Sequence, residues 1–321
     1  MNMNSPFAFR RRAVETLTLS RLSFKPLRLP DMPLVNKYLQ RSQSRACDYT
    51  IGGLYMWIEC FKYEYCVVDD TLFVKGVDEA NPSVTAFMMP VGSLTVGASI
   101  EMIRDYCRIK GIRPIFTAVP EDRVDDLLDA LGRTAQVEEL ADWSDYVYDI
   151  TSLATLTGKH MMKKRNHVNR FFADNPHWRF EALTFDILPE TMLFFEGQSH
   201  PDDPEMTRLE AYENGECRRV LANLSSYPFE GAVLRGESGE IVAFSVGEVI
   251  GDTLYVHIEK INHEISGAGA AINKLFSAFM LRRHPALRYS NREEDCGDPG
   301  LKLAKESYFP MMKLRKYDVM L

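Results

Sequence analysis

The alternation of hydrophobic and polar positions predicts one order of elements that occurs twice along the chain. Runs with a two-residue period predict strands, and runs with a 3.6-residue period predict helices. In residues 22–150 they follow the order β-α-(loop/α)-β-β-β-α-β-α-β-β, and the same order returns from residue 179 without visible sequence identity. The pattern predicts the α/β class, in its α+β form, with two domains that each hold a mixed sheet flanked by helices.

This repeat divides the chain into four parts. We expect an N-terminal extension at 1–21, a first domain at 22–150, a helical connector at 151–178, and a second domain at 179–321 that carries the candidate site. A length of 321 residues exceeds one ordinary core and suits two domains of roughly 150 residues each. The basic cluster at 10–12 resembles a targeting signal, although an extension ahead of the first strand is the favoured interpretation.

Composition narrows the class of protein. The chain is 45% hydrophobic and 26% charged, as in ordinary globular proteins. Its apolar runs fall short of the roughly 18–20 uncharged residues that cross a bilayer, so no transmembrane segment is expected. Six scattered cysteines without a Cys-x-x-Cys pair predict reduced thiols and a cytoplasmic location, peripheral to the membrane at most. Because the net charge of −7 is shared by both halves, binding a polyanion needs a local basic patch.

Polar residues interrupt the strand that the pattern predicts near residues 253–261. Leu254, Val256 and Ile258 point one way, so His257 and Glu259 point the other. That polar face either meets solvent or a domain interface, or lines a cleft with Glu259 or His257 as a general base. The pair lacks the helical His-Glu-x-x-His spacing of zinc hydrolases and the seven histidines are dispersed, so no metal is expected.

Two further segments carry candidate ligand-binding residues. Gly267 and Gly269 start an amphipathic helix, where they either form a tight turn or let backbone N–H groups bind a phosphate. Polar residues also fill the turn after a later strand, at the sheet edge where ligands collect in α/β folds. A solvated loop is the alternative for that turn, which contains Asn291, Arg292, Glu293, Glu294 and Asp295.

The connector contains a basic helix. Lys159, Lys163, Asn166 and Arg170 form one polar stripe at helical spacing. Met161, Val168 and Phe172 predict the buried stripe, and Arg165 lies within it. A guanidinium among core positions needs an acidic partner or a ligand, so Arg165 either forms a salt bridge to the second domain or grips a phosphate or carboxylate.

The strand, glycine turn and helix of the second domain resemble the acyl-CoA N-acyltransferase (GNAT) superfamily. That superfamily binds its cofactor pyrophosphate at an Arg/Gln-x-x-Gly-x-Gly/Ala turn. Here Gly267 and Gly269 match, while Glu264 stands where the superfamily has Arg or Gln. A tyrosine four residues after an alanine often protonates the leaving group there, and Ala304 and Tyr308 have that spacing. A packed helical tyrosine would show the same spacing.

The motifs together are similar to a bacterial family related to the C-terminal, or synthase, domain of phosphatidylglycerol lysyltransferase, over residues 22–321. The resemblance implies two tandem GNAT-like domains and aminoacyl transfer from aminoacyl-tRNA to an amine or hydroxyl acceptor. The sequence shows no counterpart of the lysyltransferase's membrane flippase domain. The resemblance therefore does not decide whether the acceptor is a small molecule or lipid-like. Two alternatives remain: an N-acyltransferase that uses an acyl-CoA thioester, and a non-enzymatic ligand-binding module.

A mechanism without a covalent intermediate follows from the lack of a Cys-His or Ser-His pairing. In it Glu259 acts as base, His257 orients or replaces it, and Tyr308 returns a proton to the leaving group. Aminoacyl-tRNA or acyl-CoA is the expected co-substrate, and no tightly bound cofactor is expected. Donor-binding candidates are Lys163, Arg165, Asn166, Asn169, Gly267, Gly269, Asn291, Arg292, Glu293, Glu294 and Asp295.

In the first domain, residues 47–57 are the most polar and aromatic stretch. We expect them either to pack over the groove between the domains or to shape an acceptor pocket.

Overall fold

The structure, a computed structural model, describes residues 20–78, 81–198 and 208–321. The predicted N-terminal extension lies outside the described residues except for its last two positions. No helix in these ranges is both long and apolar enough to cross a membrane.

The first half of the chain forms strands and helices in the predicted order. Its strands are β1 (Lys25–Pro26), β2 (Glu64–Val68), β3 (Thr71–Val77), β4 (Thr85–Phe87), β5 (Val91–Gly92), β6 (Ile115–Pro120) and β7 (Gln136–Glu139). Its helices are α1 (Met32–Leu39), α2 (Ile51–Tyr55), α3 (Ile58–Phe61), α4 (Val96–Lys110) and α5 (Val124–Leu131). Helix α4 shows why the ends fall where they do, since Thr95 accepts from an N–H of its first turn and Gly111 ends it with φ 67°.

The second half repeats this alternation of strands and helices. Its strands are β8 (Asp145–Asp149), β9 (Arg179–Ala182), β10 (Glu230–Arg235), β11 (Ile241–Ile250), β12 (Thr253–Ile261), β13 (Tyr289–Asn291), β14 (Met312–Leu314) and β15 (Lys316–Met320). Its helices are α6 (Ile150–Thr155), α7 (Met162–Asp174), α8 (Leu188–Gln198), α9 (Arg208–Ala222), α10 (Ala268–Arg283) and α11 (Pro299–Glu306).

The strands form two mixed sheets. The first has the order β1-β2-β3-β4-β6-β15-β7, with β5 beside β3, and the second has the order β14-β8-β13-β12-β11-β10-β9. In each sheet one pair of neighbours is parallel, β4 with β6 and β12 with β13, and the other pairs are antiparallel. The predicted class, with two mixed sheets flanked by helices, is confirmed.

Two strands belong to the other sheet than the one that their position in the chain predicts. Strand β8, which lies within the predicted first domain at 22–150, is found between β14 and β13 of the second sheet, whereas the last strand, β15, lies between β6 and β7 of the first. A hydrophobic pattern identifies a strand but not its partner, and only one residue, Arg315, separates β14 from β15. The predicted boundaries at 150 and 179 therefore divide the chain by sequence order, whereas each sheet takes one strand from the other part of the chain.

The apolar core joins the two halves. The largest cluster of buried side chains runs from the first sheet through Phe195 and Leu221 of the helices α8 and α9 to Phe244 and Ile258 of the second sheet. A second cluster lies beneath α10, where Ala271 and Ile272 pack. Helices α8 and α9 thus cover one face of the second sheet, and α7 and α10 cover the other.

Candidate active site

A cavity opens in the second sheet where its two parallel strands separate. Strands β12 and β13 pair only from Thr253 with Tyr289 to Tyr255 with Asn291. Beyond that point β12 continues to Ile261, whereas the chain after β13 turns toward α11. The cavity between them measures about 320 Å³. Its lining residues are Lys164, His167, Glu259, Ile261, Asn262, His263, Ile265, Ser266, Gly267, Gly269, Ala270, Arg292, Leu301, Ala304, Lys305 and Tyr308.

Glu259 and Arg292 form an ion pair in the cavity wall. Nη2 of Arg292 donates to Oε1 of Glu259 at 2.7 Å, and both side chains are largely buried. The amide of Asn273, with its oxygen turned toward Arg292, accepts from Nη1 at 3.0 Å and from Nε at 3.2 Å. Burial opposes the charge of Arg292, but Glu259 outweighs it and raises the pKa of the guanidinium. The pair leaves the second oxygen of Glu259 without a hydrogen bond to any described residue.

Tyr308 lies directly after α11 with its ring beside this pair. The Nζ atom of Lys164 is 3.9 Å from the ring centre, and the guanidinium carbon of Arg292 is 5.3 Å from it. Burial raises the pKa of the Tyr308 phenol to about 12, so the hydroxyl stays protonated at neutral pH. That hydroxyl makes no hydrogen bond within the described part of the chain, which leaves its proton available to a ligand.

Lys164 is a cavity residue that the sequence analysis did not single out. The sequence analysis predicted that Met161, Val168 and Phe172 form the buried side of α7. In the structure Met161 and Val168 are buried, but the third fully buried residue is Phe171. This phase of the helix turns Lys164 inward, three residues after Met161 and four before Val168. Burial, followed by the charges of Arg292 and Lys163, lowers the pKa of Lys164 to about 8. We call Lys164, Glu259, Arg292 and Tyr308 the cavity group.

His257 lies outside the cavity, in a sealed position between the two halves. Its Nε2 is 2.9 Å from Oε1 of Glu248, and its Nδ1 is 2.6 Å from Oε1 of Glu293. The N–H of Gly52 donates to Glu248 at 2.8 Å, and a Cβ on Gly52 would overlap the imidazole. Burial opposes protonation, but the two glutamates raise the pKa of His257 to about 10. His257, which the sequence analysis gave as an alternative to Glu259 or as its orienter, is therefore a buried imidazolium that holds the turn carrying Arg292.

The two glycines line the cavity, and one of them has a packing reason to be glycine. Gly267 has φ 82°, and a Cβ there would overlap the backbone oxygen of His167 on α7. Gly269 faces Ile261, whose Cδ1 would lie 3.0 Å from a Cβ on this glycine. Helix α10 begins here without a side-chain cap. The N–H of Ala268 donates to the backbone oxygen of Ile265 at 3.2 Å, whereas the N–H groups of Gly269 and Ala270 have no acceptor among the described residues.

A second group of charges lies beside the turn after β13. Nζ of Lys316 is 2.6 Å from Oδ2 of Asp48 and 2.6 Å from Oδ1 of Asp145, and it also pairs with Glu294. The Sγ atom of Cys47 is 3.4 Å from the same Nζ. Four of these side chains are close enough together to hold a metal ion, but the ammonium of Lys316 lies among them. We call Cys47, Asp48, Asp145, Glu294 and Lys316 the Lys316 cluster.

Charge and burial oppose each other in the Lys316 cluster. Burial raises the pKa of Asp145 to about 7, although Lys316 acts against it. For Glu294 burial is again the largest influence, yet the contacts with Lys316 prevail and lower the pKa to about 2. Burial lowers and Asp145 raises the pKa of Lys316, which ends well above its ordinary value. The cluster thus holds a permanent cation that the surrounding carboxylates share.

The remaining polar residues of the turn are structural partners. The Nδ2 atom of Asn291 donates to the backbone oxygen of Arg45 at 2.8 Å and to Asp145 at 2.7 Å. Asp295 accepts from the hydroxyl of Tyr146 at 2.5 Å. Of the five residues predicted at this turn, Arg292 lines the cavity, Glu293 holds His257, and Glu294 belongs to the Lys316 cluster.

The other predicted residues of α7 face away from the cavity. Lys163, Asn166 and Asn169 are exposed on the outer surface of the helix. Arg165 pairs with no acid among the described residues and does not line the cavity described above. Its Nη1 donates to the backbone oxygens of Leu156 and, at 2.6 Å, of Gly158. It satisfies the carbonyls of the turn between α6 and α7 instead, which corrects the expectation of a salt bridge or an anionic ligand.

The polar stretch of the first domain packs over the second sheet. The N–H of Cys47 donates to Asp145 at 2.7 Å, and the N–H of Gly52 donates to Glu248. Trp57 stacks on Tyr212 of α9 with ring centres 5.6 Å apart. These contacts place the stretch over the groove between the halves, as one of the two interpretations expected, and its residues 51–55 form helix α2.

Two mixed sheets, each with a parallel pair beside helices, define the class of tandem GNAT-like folds. The crystal structure of FemX is one such relative in fold, with 9% sequence identity, a TM-score of 0.56 and coverage of 94% of this chain and 98% of that one.

Within that class, the chain belongs to the family of the C-terminal domain of phosphatidylglycerol lysyltransferase, whose model matches residues 39–320. A conserved protein of unknown function from Bacteroides thetaiotaomicron VPI-5482 is 30% identical, with a TM-score of 0.84 and coverage of 94% of this chain and 99% of that one. The C-terminal domain of a protein assigned as a lysylphosphatidylglycerol synthetase, from Agrobacterium fabrum, is 16% identical, with a TM-score of 0.65 and coverage of 91% of both chains. The comparison with curated proteins gave no match.

Proposed function

We propose that this protein transfers an aminoacyl group from aminoacyl-tRNA to an amine or hydroxyl acceptor, and that the reaction takes place in the cavity between β12 and β13. The observation that carries this proposal is the cavity group. It brings a carboxylate with a free oxygen and a phenol with an unused proton to one hollow of about 320 Å³. The family of phosphatidylglycerol lysyltransferase supports the reaction class.

The cavity group supplies a base and an acid for such a transfer. The acceptor's nitrogen or oxygen attacks the ester carbonyl, and the free oxygen of Glu259 takes its proton directly or through water. The N–H groups of Gly269 and Ala270, in the first turn of α10, stabilise the charge on the carbonyl oxygen. When the bond to the ribose oxygen of tRNA breaks, Tyr308 gives that oxygen a proton. The raised pKa of the phenol, about 12, suits a donor to a strongly basic leaving oxygen.

The outer face of α7 supports a polyanionic donor. Residues 159–170 contain no Asp or Glu, and three of their five Lys or Arg residues are exposed, namely Lys159, Lys163 and Arg170, in a chain whose net charge is −7. Lys163, Asn166 and Asn169 are exposed there, on the helix that also sends Lys164 into the cavity. A basic surface beside the reacting group is what binding of the tRNA backbone requires.

The rim of the cavity supports an acceptor with an apolar part. Among the eight residues of α11 only Lys305 is buried, so this helix presents its leucines to the outside. Leu301, which lines the cavity, is 41% exposed, and Leu303 is 70% exposed. Phe309, directly after Tyr308, is 54% exposed. Leu301 thus adds an exposed apolar side chain to the cavity wall, and Leu303 and Phe309 add exposed apolar surface on the same segment, which favours a lipid-like acceptor over a small polar amine.

A transfer assay tests the proposal. The full chain is incubated with tRNA carrying a radiolabelled amino acid, and phosphatidylglycerol vesicles or soluble amines serve as acceptors. Glu259→Gln and Tyr308→Phe should each lower turnover by roughly 10²–10⁴ if these residues act as base and acid. Glu306→Gln, on the exposed side of α11, and Tyr317→Phe, on β15, are matched controls that should retain activity. Full activity in both cavity variants would remove the cavity group from the mechanism.

An acyl-CoA donor is the second candidate, because the uncapped start of α10 at Gly267 is a suitable site for a pyrophosphate. Salt separates the two donors. Binding of tRNA should weaken steeply as salt rises, whereas a coenzyme A thioester should show a much flatter dependence. Donor binding that survives both cavity substitutions without any transfer would favour a ligand-binding module instead.

A further inference from the structure

The charges that line the cavity are mostly positive. Among its lining residues Lys164, Arg292 and Lys305 are cations, and Glu259 is the single carboxylate. That carboxylate already accepts from Arg292 at 2.7 Å. Only the second oxygen of Glu259 is therefore left to bind a positively charged group of a substrate, and the negative charge of this carboxylate is already shared with Arg292.

The three cations differ in what they bind. Arg292 is held by Glu259, and Nζ of Lys305 donates to the backbone oxygens of Glu294 and, at 2.6 Å, of Arg292. Nζ of Lys164 lies over the Tyr308 ring and forms no ion pair with any residue that the structure describes. One ammonium group thus faces the cavity without a counter-ion.

The start of α10 adds a charge of the same sign. This helix has 16 residues and begins in the cavity wall without a side-chain cap. The N-terminus of a helix carries a partial positive charge, which favours anions and disfavours cations close to it. Lys164 and α10 therefore act together on whatever group occupies the space between them.

We infer that the cavity selects the acyl group by charge: it accepts an acidic or neutral aminoacyl group and rejects a lysyl group. This inference rests on the proposed function and names the class of its donor. A lysyl group brings an α-amine and an ε-amine, while the cavity has a single free carboxylate oxygen. An aspartyl or glutamyl group brings a carboxylate that Lys164 can bind, and an alanyl group brings no side-chain charge.

Amino acid amides test this selection without the transfer reaction. Glutamic acid α-amide, alaninamide and lysinamide carry the α-amine and carbonyl of an aminoacyl ester, but they have no reactive ester bond. Calorimetric titration of the full chain should give the tightest binding for glutamic acid α-amide and the weakest for lysinamide. We expect the two to differ by roughly tenfold or more, as for one charge interaction in a half-buried site.

Substitution of Lys164 should change the order of the ligands. Lys164→Met should remove the advantage of glutamic acid α-amide over alaninamide, and Lys164→Glu should favour lysinamide. Lys302→Glu makes the same change of charge on an exposed position of α11 that does not line the cavity, and it should keep the wild-type order. The pKa of Lys164 is about 8, and the α-amines of the amides titrate in the same range. The ratio of the affinities for glutamic acid α-amide and alaninamide, which share this amine, should therefore fall as pH rises through about 8 in the wild type and stay constant in Lys164→Met.

Several outcomes would overturn the inference. Lysinamide could bind the wild type as tightly as glutamic acid α-amide does, or Lys164→Glu could leave the order unchanged. Absence of binding by all three amides to folded protein would mean that the cavity does not hold the acyl group. Displacement of glutamic acid α-amide by inorganic phosphate, with no difference between alaninamide and lysinamide, would assign Lys164 to a phosphate of the donor.

The transfer assay keeps the two proposals distinguishable. Transfer from lysyl-tRNA alone would contradict selection by charge and leave the proposed function intact. Amide binding in the expected order, with no transfer from any charged tRNA, would contradict the proposed function and leave the selectivity of the cavity intact.

Discussion

The Lys316 cluster and the cavity group both gather charges beside the turn that follows β13, yet their surroundings differ. In the Lys316 cluster every carboxylate reaches the same ammonium, and Lys316 and Asp145 are no more than 1% exposed. A loop from the first half closes the cluster through the N–H of Cys47. In the cavity group, Lys164 lacks a counter-ion and the Tyr308 hydroxyl lacks a hydrogen bond among the described residues, and both face open space.

This difference separates a structural role from a functional one. Buried charges that satisfy one another specify which elements pack together, whereas polar groups left unpaired at a cavity are free to bind a ligand. The Lys316 cluster connects the two exchanged strands, because Asp145 starts β8 and Lys316 starts β15. We therefore expect it to control stability and the cavity group to control binding and turnover.

The largest effect is expected for Lys316→Met. The substitution leaves three carboxylates without their cation in a buried site, and breaking a buried ion pair in this way costs about 3–5 kcal/mol of unfolding free energy. Denaturant unfolding followed by circular dichroism measures this loss. Arg315→Met is the control, because its partner Glu121 and Arg315 itself are half-exposed, and such pairs contribute about 1 kcal/mol or less. Equal stability of the two variants would deny the cluster its structural role.

The next effect concerns the pH dependence of stability at His257. The pKa of His257 is about 10 in the folded protein, against 6.5 as the ordinary value that applies to the unfolded chain. Between these two pH values the folded protein keeps a proton on His257 that the unfolded chain has lost. Stability from this group is therefore complete below about pH 6.5 and decreases as pH rises toward about 10. Between pH 7 and pH 9 we expect the wild type to lose about 2–3 kcal/mol more than His257→Gln does. Parallel pH profiles of unfolding free energy for the two proteins would show that His257 is neutral when folded.

The sequence predicts the fold better than it predicts the partners of each strand. Periodicity identified the repeated order of elements and the mixed sheets, because burial on one face leaves a local pattern. It could not predict the exchange of β8 and β15, since a strand's apolar face is the same whichever sheet it joins. Asp145 and Lys316 hold that exchange together from positions 171 residues apart, a contact with no local signal.

Sequence reasoning selected several residues that the structure brings together, where each lies on or beside a regular element next to the strand opening, and their roles stay a prediction. Glu259, Gly267, Gly269, Arg292 and Tyr308 all line the cavity. It missed Lys164 because the stripe of α7 was set by Phe172 instead of Phe171, and a shift of one residue turns a helix by about 100°. It could not foresee that Gly52 would seal His257, because that contact joins the two halves across 205 positions of the chain.

The smallest effect is expected for Arg165, the neighbour of Lys164 on α7. Its guanidinium donates to the carbonyls of Leu156 and Gly158, two residues with positive φ in the turn after α6. Arg165→Met should therefore lower the unfolding free energy by about 1 kcal/mol and leave the affinity for the amino acid amides unchanged. Lys164→Met should do the reverse, with altered affinity and nearly wild-type stability, when both variants are measured by denaturant unfolding and calorimetry. If Arg165→Met weakened amide binding at unchanged stability, Arg165 would belong to the cavity group and the division between paired and unpaired charges would fail on α7.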